Sequence, residues 1–270
     1  MPEGDTIHNA ARRVGAALVG RDIVSVETPQ PRHGQDAWPR RLAGRAVERV
    51  DVHGKHLFVR FSGGLTLHSH LRMHGWWGVY PRGRRWGRSP RWAWLVLWTA
   101  DHDVVQFDGP VLELMTEGRT RFDQRLSALG PDILGDPWDG RAFLQRLRED
   151  DPTRGIGDAL LDQRNLAGIG NIWKSEGCFL GGVDPWRPVG AVSDEEVLRI
   201  VGATRPLMRL SAERGRVATW KPERPVRGRE TRTCVYDRLG MPCRRCGTPI
   251  RARGQGDDNR STFWCPTCQT

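Results

Sequence analysis

Four cysteines spaced Cys243-x2-Cys246-x18-Cys265-x2-Cys268 constrain this chain more than any other feature. Each close pair offers two thiolates from one tight turn, and two such pairs satisfy the tetrahedral coordination of a single Zn2+. Four thiolates leave no open coordination position, so the ion is expected to organise the fold rather than activate water. Between the pairs, residues 250–253 (Ile-Arg-Ala-Arg) and 261–264 (Ser-Thr-Phe-Trp) are short β-like runs around a Gly- and Asp-rich turn. That pattern predicts a β-hairpin with Arg260 near its tip. Cys178 and Cys234 stand apart and read as ordinary thiols.

With 270 residues the chain has room for two compact units ahead of this small module. Its 42 Lys and Arg against 32 Asp and Glu leave a formal charge of +10. Most of the cations are arginine, whose planar fork suits phosphate, so a polyanion is the expected partner. An anionic membrane would answer the same charge. However, no apolar run approaches the ~20 residues of a spanning helix, and no signal peptide opens the chain. A cytoplasmic or nucleoid-associated protein with no membrane partner is expected.

The hydrophobic period changes along the chain. Ile7, Ala10, Ala11, Val14 and Leu18 recur at helical spacing, with Asp5 as the expected cap and Gly20 as the stop. From Ile23 to about Phe107 the period is two, as in residues 56–61, 65–68 and 92–98, which predicts a mainly sheet half. Residues 31–38 and 80–91 are polar, rich in Pro and Arg, and read as loops, the second as a basic insert. Helices are expected at about 139–149, 155–162, 171–180 and 193–213. Residues 215–232, with Arg216, Lys221, Arg224, Arg227, Arg229 and Arg232, read as a basic connector. No internal repeat or low-complexity tract is present.

Zinc hairpins serve many proteins that only bind, so catalysis must be sought elsewhere. Met1 precedes a small residue, and its removal would expose the secondary amine of Pro2. An α-amino group with a pKa of roughly 7.7–8.0 is partly neutral at physiological pH and can act as a nucleophile. Glu3 beside it offers a carboxyl group, a proton donor if burial raises its pKa. Residues 2 and 3 alone fit better with an ordinary helix start that has Pro in the first turn. In residues 160–176, a helix end, two glycine-bearing turns at Gly168 and Gly170, and a helix start follow one another. Free amides and Asn171 at such a helix terminus can hold a phosphate, although a plain turn with Asn171 as cap reads the same way.

Taken together and in this order, the motifs resemble those of the Fpg/Nei family of DNA glycosylases over nearly the whole chain. Four segments carry the resemblance: Met1-Pro2-Glu3-Gly4-Asp5-Thr6, Gly54-Lys55-His56-Leu57, Gly168-Ile169-Gly170-Asn171 and Phe263-Trp264-Cys265-Pro266-Thr267-Cys268-Gln269. The resemblance implies Pro2 as nucleophile on C1′ of the damaged nucleotide and Glu3 as the acid protonating the deoxyribose ring oxygen. A Schiff base and successive β- and δ-eliminations follow, making the enzyme both glycosylase and AP lyase. It further implies Lys55 as a phosphate-contacting, catalysis-assisting residue of a β-hairpin, and Asn171 and Arg260 as phosphate-gripping residues. Met73 takes the place of a side chain inserted where the nucleotide flips out. Without the resemblance Lys55 reads as a solvated turn lysine, and Met73 reads nearly as well as a core methionine on a strand.

Gly4-Asp5 matches the Nei branch, which acts on oxidised pyrimidines, and residues 107–115 lack the arginine-rich loop of the formamidopyrimidine branch. Arg72 and Met73 depart from the side chains the Nei branch carries there. The expected architecture is α+β. An N-terminal β-sandwich with flanking helices spans 1–133, a helix-two-turn-helix domain with its connector 134–232, and a zinc hairpin 233–270. The implied protein is a monomer acting on damaged double-stranded DNA with one structural zinc. The competing readings are a formamidopyrimidine/8-oxoguanine-type glycosylase and a non-catalytic damage-binding protein.

Overall fold

The computed structural model describes residues 2–30, 37–221 and 232–270. They fall into two compact units, one holding Pro2 and Thr6–Ser127 and the other Glu3–Asp5 and Ala128–Thr270.

Helix α1 (Gly4–Leu18), which from Thr6 onward belongs to the first unit, buries Ile7, Ala10, Ala11, Val14 and Leu18, the stripe its sequence period predicts. Eight strands follow: β1 (Ser25–Glu27), then after helix α2 (Trp38–Leu42) β2 (Val47–His53), β3 (His56–Phe61), β4 (Leu65–His70), β5 (Trp76–Pro81), β6 (Ala93–Trp98), β7 (His102–Phe107) and β8 (Val111–Thr116). They make two four-stranded antiparallel sheets, ordered β1-β6-β7-β5 and β2-β3-β4-β8. Leu57, Val59 and Phe61 of β3, Leu65 and Leu67 of β4, and Leu95, Leu97 and Val104 of the other sheet join α1 in one core cluster, the signature of a sandwich. The outer face of the β6–β7 pair is also covered: Ala93, Val96, Val105 and Phe107 pack with Tyr80, Trp86 and Trp98. Burial on both faces explains why β6 reads as a continuous apolar run rather than an alternating one. Helices α3 (Glu117–Arg121) and α4 (Gln124–Ser127) close the unit.

The second unit is helical, with α5 (Gly140–Glu149), α6 (Ile156–Leu161), α7 (Asn171–Gly181) and α8 (Asp194–Arg214) close to the expected spans. Ser193 and Glu196 form a capping box at the start of α8. Helix α7 is buried along most of its length, and its Trp173 and Cys178 share a core with Ile200, Val201 and Met208 of α8. The zinc module is a hairpin of β9 (Arg251–Gln255) and β10 (Arg260–Trp264), in which Arg260 pairs with Gln255 at the turn. The Glu176 carboxylate of α7 accepts the amides of Cys234, Val235 and Tyr236 at 2.7–2.8 Å and the Thr219 hydroxyl. The whole is α+β, and none of the helices among the described residues is long and apolar enough to cross a membrane.

Three expectations need correction. Trp38, placed in a loop, is buried at the start of α2 because its indole enters the sandwich core. Residues 31–36 and 222–231, including Arg224, Arg227 and Arg229, lie outside the described residues. Asp5 does not cap α1: it sits inside the helix, buried, with its carboxylate accepting the Ser211 hydroxyl. The sheet also extends past Phe107 through β8, whose Leu112 and Leu114 complete the core.

Because Leu67 is fully buried between β3 and β8, Leu67→Ala is expected to cost about 2–5 kcal/mol. Urea unfolding checks this, and a loss below about 1 kcal/mol would contradict the central place given to β4.

Candidate active site

In the first unit, β2 and β3 form a hairpin whose tip is Gly54-Lys55, so Lys55 stands at the end of a rigid two-stranded ribbon. The residue after it starts a relay across three strands. His56 Nδ1 lies 2.9 Å from His68 Nε2, and His68 Nδ1 lies 3.3 Å from the Glu113 carboxylate. Arg125 holds that carboxylate with two bonds of 3.3 and 2.8 Å, which keeps Glu113 below the usual carboxylate range. A carboxylate only accepts, so the neutral His68 carries its proton on Nδ1 and accepts from His56 Nδ1–H. Burial lowers the pKa of His68. Burial, and then the neighbouring His70, lowers His56 to about 2. Burial, with Arg72 and Lys55 nearby, lowers His70 to about 4.

Pro2 lines a pocket of about 960 Å3 together with Thr6, Met73, Trp76, Trp92 and Trp94. Met73 sits on the turn after β4 and is 51% exposed. It is therefore not a core methionine of a strand. Arg72 before it adopts φ +49°, a left-handed conformation that turns the chain sharply at this point.

In the second unit, Glu3 is buried, and its carboxylate accepts the amides of Gly170, Ile172 and Trp173 at 3.0, 2.8 and 3.2 Å. The free amides at the start of α7, expected to hold a phosphate, are thus occupied by the chain's own carboxylate. Glycine is required here. A Cβ on Gly170 would lie 2.3 Å from the Glu3 carboxyl carbon, and one on Gly4 would lie 3.0 Å from Gly168, whose carbonyl accepts the Gly4 amide at 2.8 Å. Asn171 is the first residue of α7 rather than its cap, which is Gly170. Its side-chain amide donates to the Ser261 carbonyl in the zinc hairpin at 2.8 Å. Lys174, one turn on, is fully buried, donates to Thr262 of the same hairpin, and is lowered by burial to about 8. The Arg260 guanidinium lies 3.3 Å from Asp258 and is 40% exposed.

The sulfurs of Cys243, Cys246, Cys265 and Cys268 lie within 4.8 Å of one another, with Cys246–Cys265 at 3.5 Å and Cys243–Cys268 at 3.9 Å. A tetrahedral zinc with bonds of about 2.3 Å needs sulfurs about 3.8 Å apart, so the donor set fits the ion in number, chemistry and spacing.

Three family models cover most of the chain: the formamidopyrimidine-DNA glycosylase N-terminal domain over residues 1–125, its H2TH domain over 129–221, and the zinc finger found in FPG and IleRS over 240–270. A Streptomyces coelicolor protein named probable endonuclease 8 2 is 45% identical, over 100% of this chain and 94% of its own length. The chain belongs to the Fpg/Nei family. Its place is in the endonuclease 8 branch, as a further likeness indicates: the Mycolicibacterium smegmatis protein named DNA-(apurinic or apyrimidinic site) lyase Nei2 is 39% identical over 100% of this chain and 99% of its own. The fold is that of Lactococcus lactis formamidopyrimidine-DNA glycosylase, solved bound to DNA containing an AP site, with a TM-score of 0.82 at 23% identity over the full length of both chains. Like the zinc-finger members of its family, the protein carries one structural zinc.

The structure brings Pro2 and Met73 to one pocket, places Glu3 and Asn171 at the start of α7, and puts Lys55 and Arg260 at hairpin turns. Sequence reasoning missed the His56–His68–Glu113–Arg125 relay, whose members lie on separate strands and a helix and share no local spacing. It also missed Lys174 and the aromatic lining of the pocket.

His56 and His70 are neutral in the fold, with pKa values below the 6.5 of an unfolded histidine. The unfolded chain therefore binds more protons below that value, and the stability present above pH 6.5 is lost as pH falls toward 4. Each histidine should contribute a slope of up to about 1.4 kcal/mol per pH unit in that window. Unfolding free energies from pH 7 to 4 should show a shallower slope for His56→Asn, and identical slopes would contradict the relay. Elemental analysis should find one zinc per chain, and Cys265→Ser should reduce it to a small fraction with loss of thermal stability. Full zinc retention in that variant would remove Cys265 from the donor set.

Proposed function

We infer that this protein is a bifunctional DNA glycosylase and AP lyase of base excision repair that removes oxidised bases, pyrimidines preferentially. The observation that carries the reading is Pro2 on the wall of a pocket large enough for a nucleoside, in a chain that matches endonuclease 8 relatives end to end. With Met1 removed, the neutral Pro2 amine attacks C1′ while Glu3 protonates the ring oxygen, and the base leaves. The resulting Schiff base acidifies the 2′ position, and β- and δ-elimination cut the strand on both sides of the sugar. Three backbone amides hold the carboxyl of Glu3, the residue bonded directly to Pro2, in one fixed position, and this positioning is what the geometry contributes to the transfer. Lys55, Asn171 and Arg260 hold phosphates, and Met73, already exposed on its turn, fills the space left by the flipped nucleotide.

The partner in this reading is damaged double-stranded DNA, bound by a monomer on the bacterial nucleoid in the cytoplasm, as the charge of +10 favours. The division into a catalytic sandwich at 1–133, a helix-two-turn-helix domain at 134–232 and a zinc hairpin at 233–270, with Cys243, Cys246, Cys265 and Cys268 as ligands, belongs to the same proposal.

Borohydride trapping tests it. Protein verified by mass to lack Met1 is mixed with a duplex carrying dihydrouracil, alongside Pro2→Gly and an undamaged duplex. A lesion-dependent covalent complex mapping to Pro2 is expected. Protein that binds the duplex but neither traps nor nicks it, nor an abasic site, would instead be a damage-binding protein.

A further inference from the structure

The basic stretch after β5 is not used by the reaction above. It carries Arg82, Arg84, Arg85, Arg88 and Arg91 with Trp86 and Trp92. Long-range bonds fasten it to the sheet. The Trp86 indole N–H donates to the Asp103 carboxylate at 3.1 Å, and Arg82 reaches the same carboxylate at 3.4 Å. Trp86 also packs edge-on against Phe107, with ring centroids 6.0 Å apart. Arg88 bonds to Asp108 and to the His74 carbonyl at 3.4 and 3.3 Å.

A segment held this firmly nevertheless leaves its last indole in water. Trp92 is 46% exposed and Trp76 38%, and both line the pocket that holds Pro2. Arg91 lies over the Trp92 ring at 5.0 Å, and Arg13 and Arg88 lie over Trp76 at 5.5 and 5.8 Å. Large indole faces are ordinarily buried, so two on one pocket wall, attended by cations, mark a binding surface. The ligand that matches is a flat π-system joined to phosphate. A paired base inside a duplex has both faces covered by its neighbours, so the base must be unpaired.

We propose that Trp92, with Trp76 on the same pocket wall, is a stacking site for an unpaired nucleobase of the bound DNA. The proposal rests on the DNA-repair reading and assigns it a further recognition element. Two bases are unpaired at a flipped lesion: the damaged base itself and the partner it leaves behind.

Binding measured by fluorescence anisotropy separates them. Wild type, Trp92→Ala and Trp92→Phe are compared on three duplexes. The first carries a tetrahydrofuran abasic analogue opposite guanine and offers only the orphaned base. The second carries cleavage-resistant 2′-fluoro-dihydrouridine opposite the abasic analogue and offers only the damaged base. The third is undamaged. Trp92→Ala should weaken binding to at least one lesion duplex by about five- to a hundredfold, with Trp92→Phe recovering most of it and undamaged binding unchanged. A loss confined to the first duplex identifies the orphaned base, one confined to the second the damaged base, and a loss on both means that either can stack. Unchanged affinity for both lesion duplexes, an equal loss on undamaged DNA, or no recovery with phenylalanine would overturn the stacking site. Trapping of the wild-type preparation on an abasic site keeps the outcomes apart. Protein that traps but is indifferent to Trp92 loses only this site, whereas protein that never traps loses the enzymatic reading.

Discussion

A buried carboxylate, that of Glu3, ties the first residues of the chain to the start of α7. Burying an isolated carboxylate is costly, and the fold meets that cost by seating Glu3 on three backbone N–H groups at the positive end of α7. Bonds to a charged acceptor contribute more than neutral ones, about 1.5–3 kcal/mol each. The same seat explains why the turn before α7 is built from glycines, since any side chain on Gly170 would collide with the group it must hold. Pro2 is then confined to within one Cα–Cα step, ~3.8 Å, of an anchored residue.

Much of this was legible in the sequence, and the parts that were not share a physical cause. The cysteine spacing, the amphipathic stripe of α1 and the four helices of the second unit are local patterns, and the fold follows them closely. The start of α7 reads in the sequence as an anion seat, and the amides of Gly170, Ile172 and Trp173 hold the Glu3 carboxylate. Nothing local links Glu3 to residues 167 or more positions away, and a free helix terminus looks the same whether its occupant is a phosphate or a distant carboxylate. Asp5 was misread for the same reason, since its partner is Ser211. The basic insert looked like a plain loop because its fasteners, Trp86 and Arg82 on Asp103, act across a sheet.

The sandwich spends both faces of its sheets, which accounts for another blind spot. Strand β4 buries Leu65 and Leu67 in the core while its other face carries Thr66 and His68, which are also buried and hydrogen-bonded to Arg60 and Glu113. Alternation between apolar and polar residues normally distinguishes core from solvent. Here it distinguishes an apolar core from a polar network, so nothing in the alternation itself reveals that His56 and His68 form an internal relay.

The attachment of residues 234–236 to Glu176 has a consequence for how such chains can diverge. The amides of Thr219 and Trp220 both donate to the Arg232 carbonyl, at 2.9 and 3.0 Å, so the chain leaving α8 and the chain entering the zinc module meet at a closed neck. Chain ends held this close can be joined by segments of different length, because the entropy of closing a connection rises by only about 0.6 kcal/mol for each doubling of its length. A chain with this neck can tolerate a change in the number of residues between Trp220 and Arg232 while the metal module keeps its place on α7.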